Sequence, residues 1–312
     1  MATQNVLGAV GSVWRYPVKS MMGEELNAAG LGERGLEGDR AWALVDAGDG
    51  KVVTAKNPRK WPRLFEFRAA LVDPSRAGDP ASPVRITLPD GTLVTSDQDS
   101  CDRILSQALG RNVTLDTARP VEEDASVATD RAATAEEYWP DMEGLAFRET
   151  VTDFELPAGT FFDCAVVHLL TTATLDRLSE LYPQGRFEAR RFRPNIVIQS
   201  PSGETGFLEE SWVGRTLAIG EEVRLAVTGP CGRCVMTTLA QGDLPKDPGI
   251  LRTAAQHNEV HVGVYAAVAQ GGMVRRATPS DGPPDYCRPI FSTSALNRGS
   301  SRSESYRGSR CR

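Results

Sequence analysis

The feature that most limits what this chain can fold into is a succession of short apolar runs, each cut off by turn-forming residues. Over residues 5–95 the runs are Val6–Trp14, Leu26–Leu31, Ala41–Asp46, Lys51–Ala55, Leu64–Ala70, Val84–Leu88 and Thr92–Thr95. Many short strands at such close spacing predict a β-barrel or sandwich. Asp49-Gly50 and Asp90-Gly91 stand between runs and predict hairpin turns. Two words interrupt the pattern, Tyr16-Pro17-Val18-Lys19-Ser20 and Gly35-Leu36-Glu37-Gly38-Asp39-Arg40. Their glycines permit a close backbone approach to a ligand, and their lysine, serine and arginine are donors. On composition alone, ordinary polar loops are the commoner source of such words.

Residues 97–109 read as the first clear helix. Cys101, Ile104, Leu105, Ala108 and Leu109 form one apolar stripe, and Gly110 is a stop signal. Cys101 is therefore expected to be a small core residue. Asn112–Leu115 reads as a strand. Residues 117–150 lose the pattern and read as a long exposed loop or linker that contains the domain boundary. A second unit follows, with a strand at Ala165–Leu170 and a helix from Thr172, read as its cap, through about Tyr182. Ile196–Gln199, Glu221–Val227 and Val260–Ala269 read as strands, and a short helix is expected near Ile250–Gln256. Arg190, Arg191 and Arg193 crowd into four residues, a local anion-binding candidate or a solvated turn.

Bulk properties bound the function. A length of 312 residues favours two domains, and 40% hydrophobic content is enough for real cores. No run of 18 apolar residues occurs, so no transmembrane helix is expected. The first 20 residues lack a basic region before an apolar one, so no signal peptide is expected, and the expected location is cytoplasmic. A net charge of −6 argues against non-specific nucleic-acid binding. Six cysteines are too sparse for a secreted disulfide scaffold, so they are expected to be buried, metal-binding or catalytic.

The stretch Thr228–Leu239, TGPCGRCVMTTL, concentrates the reactive side chains. Its Cys231-x-x-Cys234 pair allows four readings. A thioredoxin-type redox pair needs a helix N-terminus, whereas Val235–Leu239 reads as a strand. A zinc site would recruit His257 and His261, over a loop longer than finger spacing. Two buried structural cysteines are a third reading. The fourth is a single thiolate that binds a soft metal or acts as a nucleophile, favoured by the adjacent Arg233. Local chemistry does not choose between Cys231 and Cys234.

Five words in order, YPVKS (16–20), GLEGDRAWALVD (35–46), HLLTTATLDRL (168–178), RFRPNIVI (191–198) and CGRCVMTTL (231–239), resemble the molybdenum cofactor sulfurase C-terminal (MOSC) family with its N-terminal β-barrel domain. YcbX-like proteins and amidoxime-reducing components belong to this family. The resemblance covers about residues 6–270. It implies a mainly β protein with flanking helices (α+β), an N-terminal β-barrel-like domain over 1–120 and a MOSC β-barrel domain over 121–274. It implies a molybdenum cofactor, molybdenum on a pterin dithiolene, in the cleft between them. Cys234 is implied as metal ligand and catalytic centre. Lys19, Ser20, Arg40, Thr171, Thr172, Arg193, Asn195 and Arg233 are implied as cofactor contacts, and Cys231 as a supporting or structural residue.

The implied reaction is two-electron, oxygen-removing reduction of N-hydroxylated compounds such as amidoximes, hydroxylamines and N-hydroxylated bases. Cys287 and Cys311 are too few and wrongly spaced for a plant-type iron–sulfur cluster. A separate flavin or iron–sulfur protein is therefore expected as electron donor, and neither nucleic acid nor membrane as partner. The rival reading is a carrier of the cofactor, or of sulfur as a persulfide on Cys234, without turnover of its own. Pyridoxal phosphate binding is associated with the family as a whole. No pyridoxal-phosphate-dependent desulfurase domain precedes this unit, which counts against a complete sulfurase. Past Val274 the chain departs from the family pattern. Arg275–Arg312 holds eight arginines and three acidic residues, net +5, against −11 for the rest. This tail is expected to be disordered, with the closing strand of the barrel missing.

Overall fold

The computed structural model describes residues 6–74, 79, 82–118, 133–143, 145, 148–277 and 289–293. The first part of the chain contributes β1 (Val6–Arg15), β2 (Glu24–Leu26), β3 (Ala28–Gly32), β4 (Gly35–Leu36), β5 (Trp42–Asp46), β6 (Arg68–Leu71), β7 (Val84–Thr87) and β8 (Leu93–Thr95). Helix α1 (Cys101–Leu109), β9 (Val113–Thr117), β10 (Thr134–Trp139) and β11 (Thr150–Glu155) follow. The second part contributes β12 (Val167–Thr171), α2 (Thr172–Leu181), α3 (Ala189–Phe192), β13 (Ile196–Gln199), β14 (Thr216–Ile219) and β15 (Val223–Gly232). Helix α4 (Gly249–Asn258), β16 (His261–Gln270), β17 (Gly272–Arg275) and β18 (Pro289–Thr293) complete it. The protein is mainly β with few helices, as the sequence predicts. No helix among the described residues is long and apolar enough to cross a membrane.

The largest sheet runs β13-β12-β16-β15-β14-β18-β1, and β1 returns to pair with β13, so the sheet closes on itself. Closure removes free edges, which are the weak point of any sheet. Strand alternation fills its interior. Val223, Leu225 and Val227 of β15 and Val10 and Val13 of β1 meet Val167, Leu169, Ile196, Ile198, Val264 and Ala266 in one apolar cluster. The closing strand β18 corrects the sequence reading, which left this edge open and the segment disordered. Pro289–Thr293 pairs with both β14 and β1, while 278–288 and 294–312 lie outside the described residues.

The second core belongs to the first part of the chain. Strands β5 to β9 and α1 enclose Leu44, Trp61, Phe65, Phe67, Ile86, Val94 and Leu105. Gly91 and Gly110 adopt left-handed backbone where turns are predicted, and Gly110 stops α1. Cys101 is buried, as expected, and burial pushes its thiol up to about 11. Part of the expected linker is a hairpin instead. Strands β10 and β11 pair with each other, and β10 bridges to the first core through Ala135 and Val52. Lys51–Ala55 forms no strand of its own, only isolated bridges at Val52.

The two parts interlock. Strand β1 belongs to the barrel although it begins the chain, and β17 pairs with β3. The seam between the two cores lies along the Tyr16–Met22 turn, where the chain leaves the barrel for the second core.

Candidate functional site

Sequence TGPCG ends β15 irregularly. The pairing of β15 with β16 slips between Val227 and Gly229 and again between Pro230 and Gly232. Such bulges re-aim side chains and are enriched beside active sites. Here they bury Cys231 completely and leave Cys234 half-buried against the other core. Val235–Thr238 is a 3-10 turn, where the sequence predicts a strand. Two local contacts favour the turn: the Thr237 hydroxyl donates to the Cys234 carbonyl (3.0 Å), and that of Thr238 to the Val235 carbonyl (2.7 Å). Arg191, fully buried in α3, then fixes it. Its guanidinium donates to the carbonyls of Thr237 (3.3 Å), Leu239 (3.2 Å) and Pro245 (2.8 Å). Met236 enters the second core, so the turn spans the seam.

The arginine-rich word thus divides its labour. Arg190 pairs with Glu188 and Asp243 at the surface. Arg191 holds the cysteine turn. Arg193 alone enters the seam, in left-handed backbone at φ 53°. Its guanidinium donates to the Met21 carbonyl at 2.6 Å and lies 4.1 Å from the centre of the Tyr16 ring. Ser20 (φ 63°) and Arg40 (φ 48°) share that unusual backbone. A left-handed conformation costs a non-glycine residue about 1–2 kcal/mol, so its recurrence at three predicted site residues marks a place where geometry overrides local preference.

Arg40 lies over Tyr16 and Phe162 and pairs with Asp39. Asp39 accepts from the Tyr16 backbone N–H (2.7 Å) and the Asn195 amide (2.8 Å). Asn195 also accepts from the His168 N–H at 3.1 Å, so its side chain braces Asp39 and β12. Lys19 is buried. It donates to the Phe161 carbonyl (2.8 Å) and pairs with Asp163. Lys56 reaches the same Asp163 (3.3 Å) and Glu137 (3.5 Å). A cleft of about 400 Å³, lined by residues 32–41 with Gly159, Thr160 and Phe162, leads in to Arg40.

Burial and charge set the protonation of these groups. Burial, and then repulsion from Arg40, brings Arg193 down to about 10. Burial lowers Lys19 despite Asp163. Burial alone would raise Asp163, but Lys19 and Lys56 hold its carboxyl well below the usual carboxylate range. The two cysteines part company. Burial and Glu137 push the Cys234 thiol up to about 12. Burial would also raise Cys231, but Arg233, His168 and Tyr265 overcome it and hold the thiol at about 6.

The seam therefore gathers Lys19, Ser20, Arg40, Arg193, Asn195, Arg233 and Cys234. It does not gather Thr171 and Thr172. The Thr171 hydroxyl caps α2 by accepting from the Thr174 N–H (3.1 Å) and bonds Glu209 (2.6 Å). Thr171, not Thr172, is the cap. The Thr172 hydroxyl accepts from the Ser200 N–H at 3.0 Å. Thr171 stands three residues beyond His168 along β12, roughly 10 Å by strand rise, so both hydroxyls serve local structure away from Asn195. The zinc reading fails on geometry. Among the described residues no group of three or more His, Cys, Asp and Glu is placed to hold a metal ion.

Sequence reasoning did not single out Lys56, Glu137, Asp163, His168 or Tyr265. His168 lies inside a recognised word, and Asp39 stands beside Arg40. Lys56 and Asp163 sit in unmarked loops and carry no signal.

Two family models match the chain in succession. The family described as MOSC domain matches residues 158–278, and that described as MOSC N-terminal beta barrel domain matches residues 7–131. The chain is similar to Mitochondrial amidoxime-reducing component 1 of Mus musculus, 28% identical over 238 residues, covering 75% of this chain and 66% of that protein. Mitochondrial amidoxime reducing component 2 of Rattus norvegicus is 28% identical over 243 residues, 75% of this chain and 67% of that one. Molybdenum cofactor sulfurase of Oryza sativa subsp. japonica is 27% identical over 276 residues, 79% of this chain and 30% of that protein. The chain thus spans about two thirds of the length of the amidoxime-reducing components it matches. Among solved structures, the YUAD protein from Bacillus subtilis aligns over 94% of this chain and 97% of that one, at 10% identity and a TM-score of 0.42.

Proposed function

Because the chain belongs to the MOSC domain family and carries the MOSC N-terminal β-barrel domain ahead of it, we propose that it holds a molybdenum cofactor in its seam and reduces N-hydroxylated compounds. The observation that carries this reading is the charge balance there. Five cationic side chains (Lys19, Arg40, Lys56, Arg193 and Arg233) share the seam with three carboxylates (Asp39, Glu137 and Asp163) and a half-buried free thiol, and even with the buried Cys231 thiol counted as the partner of Arg233 one positive charge is left over. Buried charge is costly unless paired, so an excess of cations calls for an anion. The Nε of Arg233 is buried without a hydrogen-bond partner, which leaves a donor for one. A phosphate-bearing pterin dithiolene fits such a set, and a soft metal fits Cys234.

In this reading Lys19, Arg40 and Arg193 neutralise the cofactor's phosphate, Arg233 offers its free N–H, and Cys234 is the metal ligand. Ser20 accepts from the Ala55 N–H (3.1 Å) and still has a hydroxyl proton to donate. Asn195 acts indirectly, by holding Asp39 against Arg40. Thr171 and Thr172 are left out of the set because their hydroxyls are engaged elsewhere. When bound, the cofactor supplies a two-electron centre able to accept an oxygen atom. The net reaction is R–NHOH plus two electrons and two protons giving R–NH₂ and water. The electrons would come from a separate flavin or iron–sulfur protein.

The rival reading, a carrier that binds the cofactor or sulfur without turnover, draws on the similarity to a molybdenum cofactor sulfurase. An assay of amidoxime reduction with a reduced viologen as donor separates the two. Amidine formation that depends on bound molybdenum supports the reductase. Stoichiometric cofactor with no amidine from any N-hydroxylated substrate supports the carrier.

A further inference from the structure

Cys231 is a nucleophilic group that the proposed reaction does not use, yet it sits in a built environment. It is 0% exposed, and the Nη1 of Arg233 donates to its sulfur at 2.8 Å. The other terminal nitrogen of Arg233 donates to the Phe192 carbonyl at 2.8 Å. Among the described residues no carboxylate pairs with this guanidinium. The groups that favour its charge are Cys231, Tyr265 and Cys234. A buried guanidinium without a counter-ion is a large penalty, and removing one partner of such a pair is strongly destabilising. Cys231 is the group placed to supply the counter-charge.

The surroundings of the sulfur agree. Against the opposing effect of burial, the thiol is lowered chiefly by Arg233, with contributions from His168 of β12 and Tyr265 of β16. Arg233 thus faces the buried Cys231 sulfur directly, and burial keeps water away.

We propose that Cys231 is a positioning residue, the anionic partner that fixes Arg233 so that its unpartnered Nε points to the ligand of the seam. The two cysteines of the pair then do opposite work, one as counter-ion and the other as ligand. The consequence for the cofactor rests on the function proposed above, but the ion pair itself does not.

The test has two independent readouts. The full chain, from a host unable to make the cofactor, is titrated by thiolate absorbance at 240 nm. One step centred near pH 6 is expected, lost in Cys231→Ser and kept in Cys234→Ser. No step below pH 8, or a step lost only in Cys234→Ser, overturns the ion pair. Molybdenum content is then measured for chains from a host that makes the cofactor. Outer-shell partners typically govern metal affinity by about 10–100-fold, so Cys231→Ser should retain at least about tenfold less, and Cys231→Asp, which restores an anion, should recover most of it. Parent-level molybdenum in Cys231→Ser contradicts the positioning role. A parent without molybdenum that still shows the Cys231-dependent step would defeat the cofactor reading and leave the ion pair standing.

Discussion

The barrel interior and the seam beside it follow opposite rules. In the interior, Val10, Leu169, Ile196, Leu225 and Val264 exclude water and charge, and each contact there strengthens the others. In the seam, Arg193 and Arg40 repel each other, three residues occupy left-handed backbone, and a guanidinium nitrogen lacks a partner. The interior is optimised for the folded chain alone. The seam makes physical sense when an anion is counted as part of it. Strain and unbalanced charge that persist in a fold point to function more surely than good packing does.

That contrast can be broken first where the effect is largest. Leu225→Ala should cost about 2–5 kcal/mol in urea unfolding while leaving cofactor content per folded molecule unchanged. Arg193→Met should do the reverse. Among the described residues no carboxylate pairs with Arg193, so its removal strands no opposite charge and forfeits mainly one hydrogen bond to the Met21 carbonyl; stability of the unloaded chain should change by less than about 1.5 kcal/mol while molybdenum content falls. If Arg193→Met instead unfolds the unloaded protein, the seam is an ordinary structural network and the comparison collapses.

The pH dependence sharpens the comparison. Cys231 is held at about 6 when folded and returns to about 8.5 when unfolded. Its folded value is depressed, so its stabilisation is complete above about pH 8.5 and is lost as pH falls through 6. Full burial makes this at most about 3 kcal/mol, and Cys231→Ser should flatten the melting curve across that window. A parent whose stability is level from pH 6 to 8.5 refutes it.

Asp163→Asn should come next, costing about 1–3 kcal/mol by leaving Lys19 and Lys56 facing each other. Because the Asp163 carboxyl is depressed, its contribution is present at neutral pH and fades below about pH 4. Parent and variant should therefore converge in acid. The smallest effect is expected away from the seam. Burial raises the Glu209 carboxyl, which the Thr171 and Thr174 hydroxyls hold. A raised acid stabilises at low pH and loses that contribution as pH rises. Glu209→Gln should thus gain on the parent in alkaline solution, by about 1 kcal/mol or less, with cofactor content unmoved.

Much of this was legible in the sequence, for reasons that differ by region. Strand β13 and the stop of α1 at Gly110 follow from local pattern and turn chemistry, which tertiary contacts did not contest. The Val235–Leu239 run illustrates the limit. Its β-branched residues suggest a strand, yet Arg191, 40-odd residues away, takes its carbonyls and sets a 3-10 turn. The closing strand at Pro289–Thr293 lay in an Arg- and Ser-rich tail whose composition suggests disorder, and sheet closure decided otherwise. Lys19, Arg40, Arg193 and Cys234 were proposed from the sequence because recognised words carry them. Lys56 and Asp163 were not, because only the fold brings them together. Which cysteine serves as the metal-binding or nucleophilic thiolate was open from local chemistry in the sequence; in the structure the Arg233 guanidinium donates to Cys231.

The most direct test of the central claim is elemental analysis of the purified chain beside Cys234→Ala, both from a host that makes the cofactor, with pterin fluorescence after oxidative release. The account predicts near-stoichiometric molybdenum and pterin in the parent, with molybdenum lost in the variant. A parent free of both, or a Cys234→Ala chain that keeps its molybdenum, would contradict it.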